Sequence, residues 1–500
     1  MSSTPSPAGQ TTVSAPGKVL LTGGYLVLEA PNPGLVAAVS ARFYTTILPC
    51  TSPSPGGEGY HLVVHSPQFH ETREYTVSVS PSSVHVSRLS GGANGYVEMA
   101  LAHAFAYASS RGMLTPPPPG VMADTLVLVA DNGFYSQMDA LESRGLPQSA
   151  EGLAALPPFL ALDTSRELVK TGLGSSAALI TSLVGAVLVH YAGLDLAGGN
   201  TALETVHFVA QAAHCAAQGK IGSGFDVSSA TFGSQRYTRF SPEVLNALAA
   251  DLDLASPTEA FDPSPFKSHG PEAMDSTVDP WHLPQGMHLI LADTAVGSKT
   301  PGMVRKILKW KADGGDDAAA IWNGLIDANA AVEASLRIVG SHAREFPAAS
   351  AAAIATLASH PLGSWEDLAT GLNDPRASEW VAHLLRLRGE FETVRSLLRA
   401  MSTAAGVPVE PPEQTALLDA TLELPGVVFA GVPGAGGFDA VFVVVLGDET
   451  RASLESAWAQ TPDIHVCPLI LDEDSRGGVL IEPSFDLPSH TLPASSASKL

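Results

Sequence analysis

Lys170-Thr171-Gly172-Leu173-Gly174-Ser175-Ser176-Ala177-Ala178 opens directly into the apolar run Leu179–Val189. Two glycines let the backbone curl tightly, and the serines and alanines then start a helix. The first turn of a helix has unpaired N–H groups and a partial positive charge, which suits a phosphate. No Gly-x-x-x-x-Gly-Lys-Ser/Thr phosphate loop occurs in the chain. Taken alone, the stretch reads better as a glycine turn before a core helix. Gly172, Gly174 and Ala177 also fit Gly-x-Gly-x-x-Ala, the dinucleotide fingerprint. That pattern needs a buried strand before it and an acidic residue ending the next strand. Here Ser165–Lys170 is mostly polar, and Asp195 ends no strand.

Working outward, 500 residues are too many for one ordinary core, so two domains are expected. Apolar residues make up 45%, as in a globular protein, and the formal net charge is −23. Such an acidic chain is unsuited to broad contact with nucleic acid or anionic membrane. To bind an acidic ligand it must gather its few cations locally. Cys50, Cys215 and Cys467 show no metal-site spacing and fit a reducing compartment. Met1–Gln10 has no apolar core and does not read as a secretory signal. Ala177–Tyr191 is short for a membrane span and contains Thr181 and Ser182, so it reads as a buried helix. The final Ser498-Lys499-Leu500 matches a peroxisomal import address, read by an import receptor, or else is an incidental tail. Cytoplasmic or peroxisomal residence is therefore expected.

Strands are expected at Thr11–Ser14, Arg42–Leu48, Glu74–Ser80, Thr125–Asp131, Ser234–Phe240, Met287–Leu291, Gly426–Ala430, Ala440–Leu446 and Val466–Leu471. Helices are expected at Gly95–Ser110, after the glycine loop, at Thr201–Gln218, Pro301–Lys311, Asp316–His342, Ser378–Ala405 and Thr450–Trp458. Gln137–Ala161 reads as an irregular excursion. Mixed elements without strict alternation point to an α+β fold with antiparallel sheets.

Three further groups can carry chemistry. In Ser14-Ala15-Pro16-Gly17-Lys18, continuing to Gly23-Gly24-Tyr25, a bend presents the Lys18 ammonium, a suitable counter-charge for a reacting phosphoryl group. In Lys220-Ile221-Gly222-Ser223-Gly224-Phe225-Asp226, a carboxylate follows a Gly-Ser-Gly turn. Asp226 can accept or orient a hydroxyl proton, or simply cap a helix. Arg236, ten residues on, can grip a phosphate in bidentate fashion. Ala430–Asp439, with Gly434, Ala435, Gly436 and Gly437, lies between two apolar strands and implies a close approach of another backbone. Thr300-Pro301 looks like a helix start able to hold an anion, with Lys299 just outside it. Arg305, Lys306, Lys309 and Lys311 read as a surface helix face.

Together and in this order, these groups resemble the three signature motifs of the GHMP kinase superfamily. Their finer features, such as Gly23-Gly24-Tyr25-Leu26-Val27-Leu28 and Gly233-Ser234-Gln235-Arg236-Tyr237, are similar to those of the fungal-type phosphomevalonate kinases. The resemblance covers nearly the whole chain except its ends and Ser241–Pro284. It implies a two-domain fold, with an N-terminal domain, a ferredoxin-like C-terminal domain and the active site in the cleft between them. The expected organisation is residues 11–245 for the ATP-binding unit, 246–284 for an acidic, Pro-rich linker or insertion, and 285–483 for the second unit. Residues 1–10 and 484–500 are expected to be flexible ends.

The same resemblance implies ATP and Mg²⁺ as cofactors and a phosphorylated mevalonate as acceptor. Lys18 and Asp226 would be the catalytic pair. Lys170, Gly172, Leu173, Gly174, Ser175, Ser176 and Ala177 would wrap the ATP phosphates, with Ser176 also touching the metal. Lys18, Tyr25, Ser223, Arg236 and Thr300 would meet the acceptor, and Gly434–Gly437 would shape the cleft. One departure stands out. Mevalonate kinases carry a metal-binding glutamate on the helix before the aspartate, whereas Val206–Gly219 contains no acidic residue. Its polar side chains are His207, Gln211, His214 and Gln218, and Glu204 lies too early to match. Magnesium would then rely on Ser176, nucleotide oxygens and water.

Overall fold

The computed structural model describes residues 9–49, 59–114, 123–166, 168–251, 261–294, 300–438, 440–460 and 466–492. Ser498–Leu500, Lys299, Asp439 and the Thr300 side chain lie outside the described residues.

Strand propensity places thirteen strands among them: β1 Thr11–Thr22, β2 Pro33–Leu48, β3 Tyr60–Ser66, β4 Glu71–Ser80, β5 Ser83–Ser90, β6 Ala123–Ala130, β7 Gln235–Thr238, β8 Thr277–Pro280, β9 Met287–Asp293, β10 Val427–Gly431, β11 Ala440–Leu446, β12 Cys467–Leu469 and β13 Leu480–Ile481. Nine form one sheet in the order β13-β1-β2-β6-β3-β4-β5, with β7 on β2 and β8 on β7. All pairings are antiparallel except β3 with β6. Helices Gly95–Ser110, Ser175–Ala192 and Asn200–Gln218 pack together, and Ser175–Ala192 also lies on β1 and β2. Their facing residues, such as Phe105, Ile180, Leu183, Val187 and Phe208, make one core with the sheet. Ser175–Ala192 is long and apolar enough to cross a membrane, but most of it is buried in this core.

The second unit follows the β-helix-β-β-helix-β order of a ferredoxin-like fold, with spatial order β10-β11-β9-β12. β11 reads Ala-Val-Phe-Val-Val-Val-Leu without a polar residue because both its faces are covered. Val441, Val443 and Val445 pack with Leu417, Leu418 and Trp458 of helices Pro412–Leu422 and Thr450–Ala459. Phe442, Val444 and Leu446 join the opposite cluster with Val332, Leu336, Trp380 and Phe391. Those last residues lie on the long paired helices Gly315–Glu345 and Pro375–Ala405.

The strand pairing crosses the boundaries expected from composition. β8, inside 246–284, is a strand of the first sheet. β13, inside 285–483, pairs with β1. The returning chain is anchored by Asp474 N to the Ala38 carbonyl (2.8 Å), Glu482 N to the Thr12 carbonyl (2.8 Å), and an ion pair from Asp474 to the fully buried Arg42. Glu473 ties the two connections together. Its carboxylate accepts from Leu283 N (3.0 Å) and contacts His282 Nδ1 (2.9 Å).

Candidate active site

A cavity of about 690 Å³ opens between the two units. Its walls bring together Lys18, Tyr25, Lys170, Gly172–Ser176, Ser223, Asp226 and Gly434–Gly436.

Lys18 is not presented by a turn, as Pro16-Gly17 suggested. It lies within β1, where the register to β2 shifts between Pro16 and Gly17. A side chain at Gly17 would come within 3.1 Å of the Leu173 carbonyl and the Phe134 ring. Glycine there lets β1 pass directly under the phosphate loop. Lys18 N donates to the Leu173 carbonyl at 2.9 Å, and Nζ donates to the Gly172 carbonyl at 2.7 Å. The ammonium also sits 5.4 Å from the Phe225 ring centroid.

Gly172 and Gly174 take φ values of +76° and +77°, the left-handed region that favours glycine. A Cβ at Gly174 would come within 3.1 Å of Lys18 Cε and 3.8 Å of Asp226 Cβ, so loop, lysine and aspartate meet at one point. Gly174 is the cap residue of helix Ser175–Ala192 and has no side chain to bond the N–H groups of its first turn. Leu173, Ser175 and Ala177 are buried beneath the loop, Ser176 is half-buried, and Lys170 is exposed at the rim.

Asp226 stands in the first turn of helix Phe225–Phe232, and its Oδ1 accepts from Val227 N at 3.0 Å. The helix-cap reading does not hold, because Gly224 is the cap residue and Asp226 lies inside the first turn. Ser223 lines the cleft, and its carbonyl accepts from Tyr237 Oη at 2.9 Å.

The glycine loop of the second unit meets Gly23–Tyr25 of the first. Tyr25, at φ +64°, donates its hydroxyl to the Ala435 carbonyl at 2.7 Å. A Cβ at Gly24 would fall 2.7 Å from the Gly434 carbonyl oxygen. Gly437 N donates to the Val409 carbonyl at 2.8 Å.

Arg236 is a correction. It is absent from the residues lining this cleft, and its guanidinium engages Glu333 at 2.8 Å and Asp279 at 3.7 Å. Strand alternation explains this: β7 turns Arg236 toward β8 and helix Gly315–Glu345. Arg239, just past β7, lines the cleft instead. Its NH2 donates to the Gly222 carbonyl at 2.9 Å, another N–H donates to the Leu28 carbonyl, and its buried Nε has no hydrogen-bond partner. Thr300 is not among the described lining residues; Val304 and Leu308, one and two turns further along helix Thr300–Asp313, are.

Residues missed by the motif reading are His214, Gln211 and Gln218 of helix Asn200–Gln218, together with Lys220, Glu29 and Arg239. His214 Nε2 lies 3.1 Å from Ser176 Oγ, 3.0 Å from Gln218 Nε2 and 4.0 Å from Asp226 Oδ2. Burial holds its imidazole below the usual value, against the opposing pull of Asp226. Among the described residues, Lys18, Lys170, Lys220 and Arg239 face the cavity against two carboxylates, Asp226 and Glu29. An acidic protein has thus built a cationic cleft at a helix mouth, suited to two polyanions side by side.

Comparison with known proteins agrees. The model for the GHMP kinases N terminal domain matches residues 155–234, and that for GHMP kinases C terminal matches residues 381–463. The peroxisomal phosphomevalonate kinase of Arabidopsis thaliana is 37% identical over 494 residues, covering 93% of this chain and 94% of its own. The phosphomevalonate kinase of Gibberella zeae is 34% identical over 490 residues, covering 93% and 95%. Among solved structures, the Streptococcus pneumoniae phosphomevalonate kinase bound to phosphomevalonate and AMPPNP shares the fold at a TM-score of 0.53 and 14% identity, over 92% of this chain and 98% of its own.

Proposed function

This chain belongs to the phosphomevalonate kinase family of the GHMP kinases, and from that premise we propose how its cleft moves the γ-phosphoryl group of ATP onto the phosphate of 5-phosphomevalonate, giving ADP and 5-diphosphomevalonate. The observation that carries the reading is the set of four cations, Lys18, Lys170, Lys220 and Arg239, gathered around one cavity in a chain of net charge −23.

The ATP phosphates take the mouth of helix Ser175–Ala192, where backbone N–H groups and the helix dipole favour them. An acceptor phosphate has a second pKa near 6, so at pH 7 it is already largely ionised and needs little base catalysis. The difficulty is bringing two anions together. Lys18, fixed by Gly172 and Phe225, neutralises the oxygens of the moving phosphoryl group. Arg239 takes the role first expected of Arg236 and holds the acceptor, with the Ser223 turn beside it. Asp226 orients Lys18 and the acceptor and does not take a proton.

The donor set fits Mg²⁺: the Ser176 hydroxyl and the Asp226 carboxylate are oxygen ligands, and neither alone could complete a shell, which suits an ion that keeps several waters. Bound there, Mg²⁺ would screen the β- and γ-phosphate charge. Glu204 is exposed and lies outside the cleft lining, so it supplies no ligand.

The Ser498-Lys499-Leu500 end supports peroxisomal import through its receptor, as does the peroxisomal designation of the Arabidopsis relative. A fluorescent fusion with and without these three residues tests it.

A coupled ADP-release assay across mevalonate, 5-phosphomevalonate, galactose and homoserine tests the activity. Turnover is expected with 5-phosphomevalonate alone. Turnover with another acceptor and none with 5-phosphomevalonate would overturn the reading.

A further inference from the structure

Helices Gly315–Glu345 and Pro375–Ala405 pack along one another on one face of the C-terminal sheet. His342 occupies the last turn of the first. Glu379 and His383, four residues apart near the start of the second, share a helix face. One ligand atom from each of the three side chains lies within 4.8 Å of the other two. The two imidazole centroids are 5.6 Å apart.

Two observations distinguish this cluster from an ordinary surface grouping. His342 is only 8% exposed, and its Nε2 has no hydrogen-bond partner. Buried polar nitrogens are normally satisfied, so an unpartnered one calls for an explanation. Finally, the last turn of a helix carries partial negative charge from its free carbonyls, so the His342 end of Gly315–Glu345 favours a cation. None of the three residues lines the cleft.

We propose that His342, Glu379 and His383 form a divalent transition-metal site, separate from the catalytic cleft, in which Zn²⁺ staples the two long helices. Two imidazoles and a carboxylate are a zinc donor set and leave one tetrahedral position for water. Mg²⁺ and Ca²⁺, which want mostly oxygen ligands, are poorly served by it. Binding requires only small side-chain rotations, because Glu379 is exposed and His383 half-buried. The ion would give His342 the partner it lacks.

The test uses the full chain, stripped of metal and held in excess Mg²⁺, titrated with Zn²⁺ against a chromophoric chelator. One equivalent of Zn²⁺ per chain is expected. Glu379→Gln and His383→Ala alter accessible positions and should leave ATP-dependent turnover intact, yet each should weaken Zn²⁺ binding at least tenfold. Co²⁺ should give the visible absorption of a four-coordinate site in the unaltered protein, and that band should be lost in His383→Ala. Zn²⁺ affinity and stoichiometry unchanged in both variants, or no Zn²⁺ held by the unaltered chain, would overturn the proposal.

Discussion

Ser176 Oγ and His214 Nε2 meet at 3.1 Å, joining the first turn of the phosphate-binding helix to the helix beside it. Burial favours the neutral imidazole. In the tautomer with Nε2 unprotonated, it accepts a hydrogen bond from the Ser176 hydroxyl, sharing that lone pair with the Gln218 amide at 3.0 Å, and leaves the hydroxyl lone pairs for a metal or phosphate. His214→Ala should raise the KM for MgATP about tenfold and lower kcat ten- to a hundredfold, the range seen when a residue orienting a ligand is lost. His214→Gln should recover part of this. Steady-state kinetics with ATP varied at saturating acceptor checks it.

Lys18→Met should reduce kcat about a hundred- to a thousandfold with the fold intact by circular dichroism, as expected when one preorganised positive group is lost. Lys18→Arg should rescue little. Gly174 already crowds the lysine stem at 3.1 Å from where a Cβ would stand, and Phe225 limits the other side.

Arg239 and Arg236 should separate cleanly. Arg239→Met should raise the KM for 5-phosphomevalonate at least tenfold, about 1.4 kcal/mol or more of lost binding. Arg236→Met breaks the contact to Glu333 and should leave that KM within about twofold. The same shift in both variants would remove Arg239 from the acceptor site.

Two glycines of the second-unit loop should respond differently to alanine. At Gly436 a Cβ would fall 2.0 Å from the Val409 carbonyl oxygen, at φ +71°. At Gly434 (φ +64°) it would meet nothing within 4 Å. Gly434→Ala should cost about 1–2 kcal/mol from the left-handed backbone alone. Gly436→Ala should cost clearly more, because the loop must move, and should also reduce turnover. Urea unfolding followed by fluorescence measures both.

Acid should destabilise the protein below pH 6.5. His103 and His207 are fully buried, and burial lowers both to about 4 from an ordinary 6.5. Between those values the unfolded chain takes up protons that the folded chain refuses, so stability present above pH 6.5 is lost as the pH falls. Each contributes on the order of 3 kcal/mol. Asp131, raised by burial to about 6, works in the opposite direction over part of the range. Two histidines against one aspartate leave a net fall. In His103→Leu/His207→Leu, the urea midpoint should fall less between pH 6.5 and 4.5 than in the unaltered chain, the remainder coming from other histidines that burial lowers, such as His190 and His214.

The elements read best from sequence were those whose pattern is local. Gly95–Ser110 and Ala440–Leu446 come out with the bounds their periodicity predicts. β3 and β5 carry a weaker signal: each alternates over only a few residues, with His at the outward positions of β3 and Ser and His at those of β5, and both are set by pairing in the sheet. Glycine marks three walls of the site: a Cβ would crowd the Leu173 carbonyl at Gly17 and the Lys18 stem at Gly174, and the Val409 carbonyl excludes it at Gly436. The fourth wall had a quieter signal. His207, Gln211, His214 and Gln218 recur at spacings of four, three and four along an otherwise apolar helix, which puts a polar stripe on one face. Spacing from the Gly-Ser-Gly turn points to Arg236, and nothing in the sequence marks Arg239. Which side of β7 faces the cleft is decided by pairing with β2, and sequence distance carries no trace of it.

Glu473 grips both connections between the two units, so the chain crosses from one to the other twice, side by side. The second unit is topologically an insertion hung from the first sheet, and no single cut would release it. A two-ply strap bends readily in one direction and resists twisting. The free ends of that strap are then tied by contacts far from it in sequence, Tyr25 to Ala435, Gly23 N to Asn329 Oδ1 and Arg236 to Glu333, so the cleft is closed on itself like a clasp.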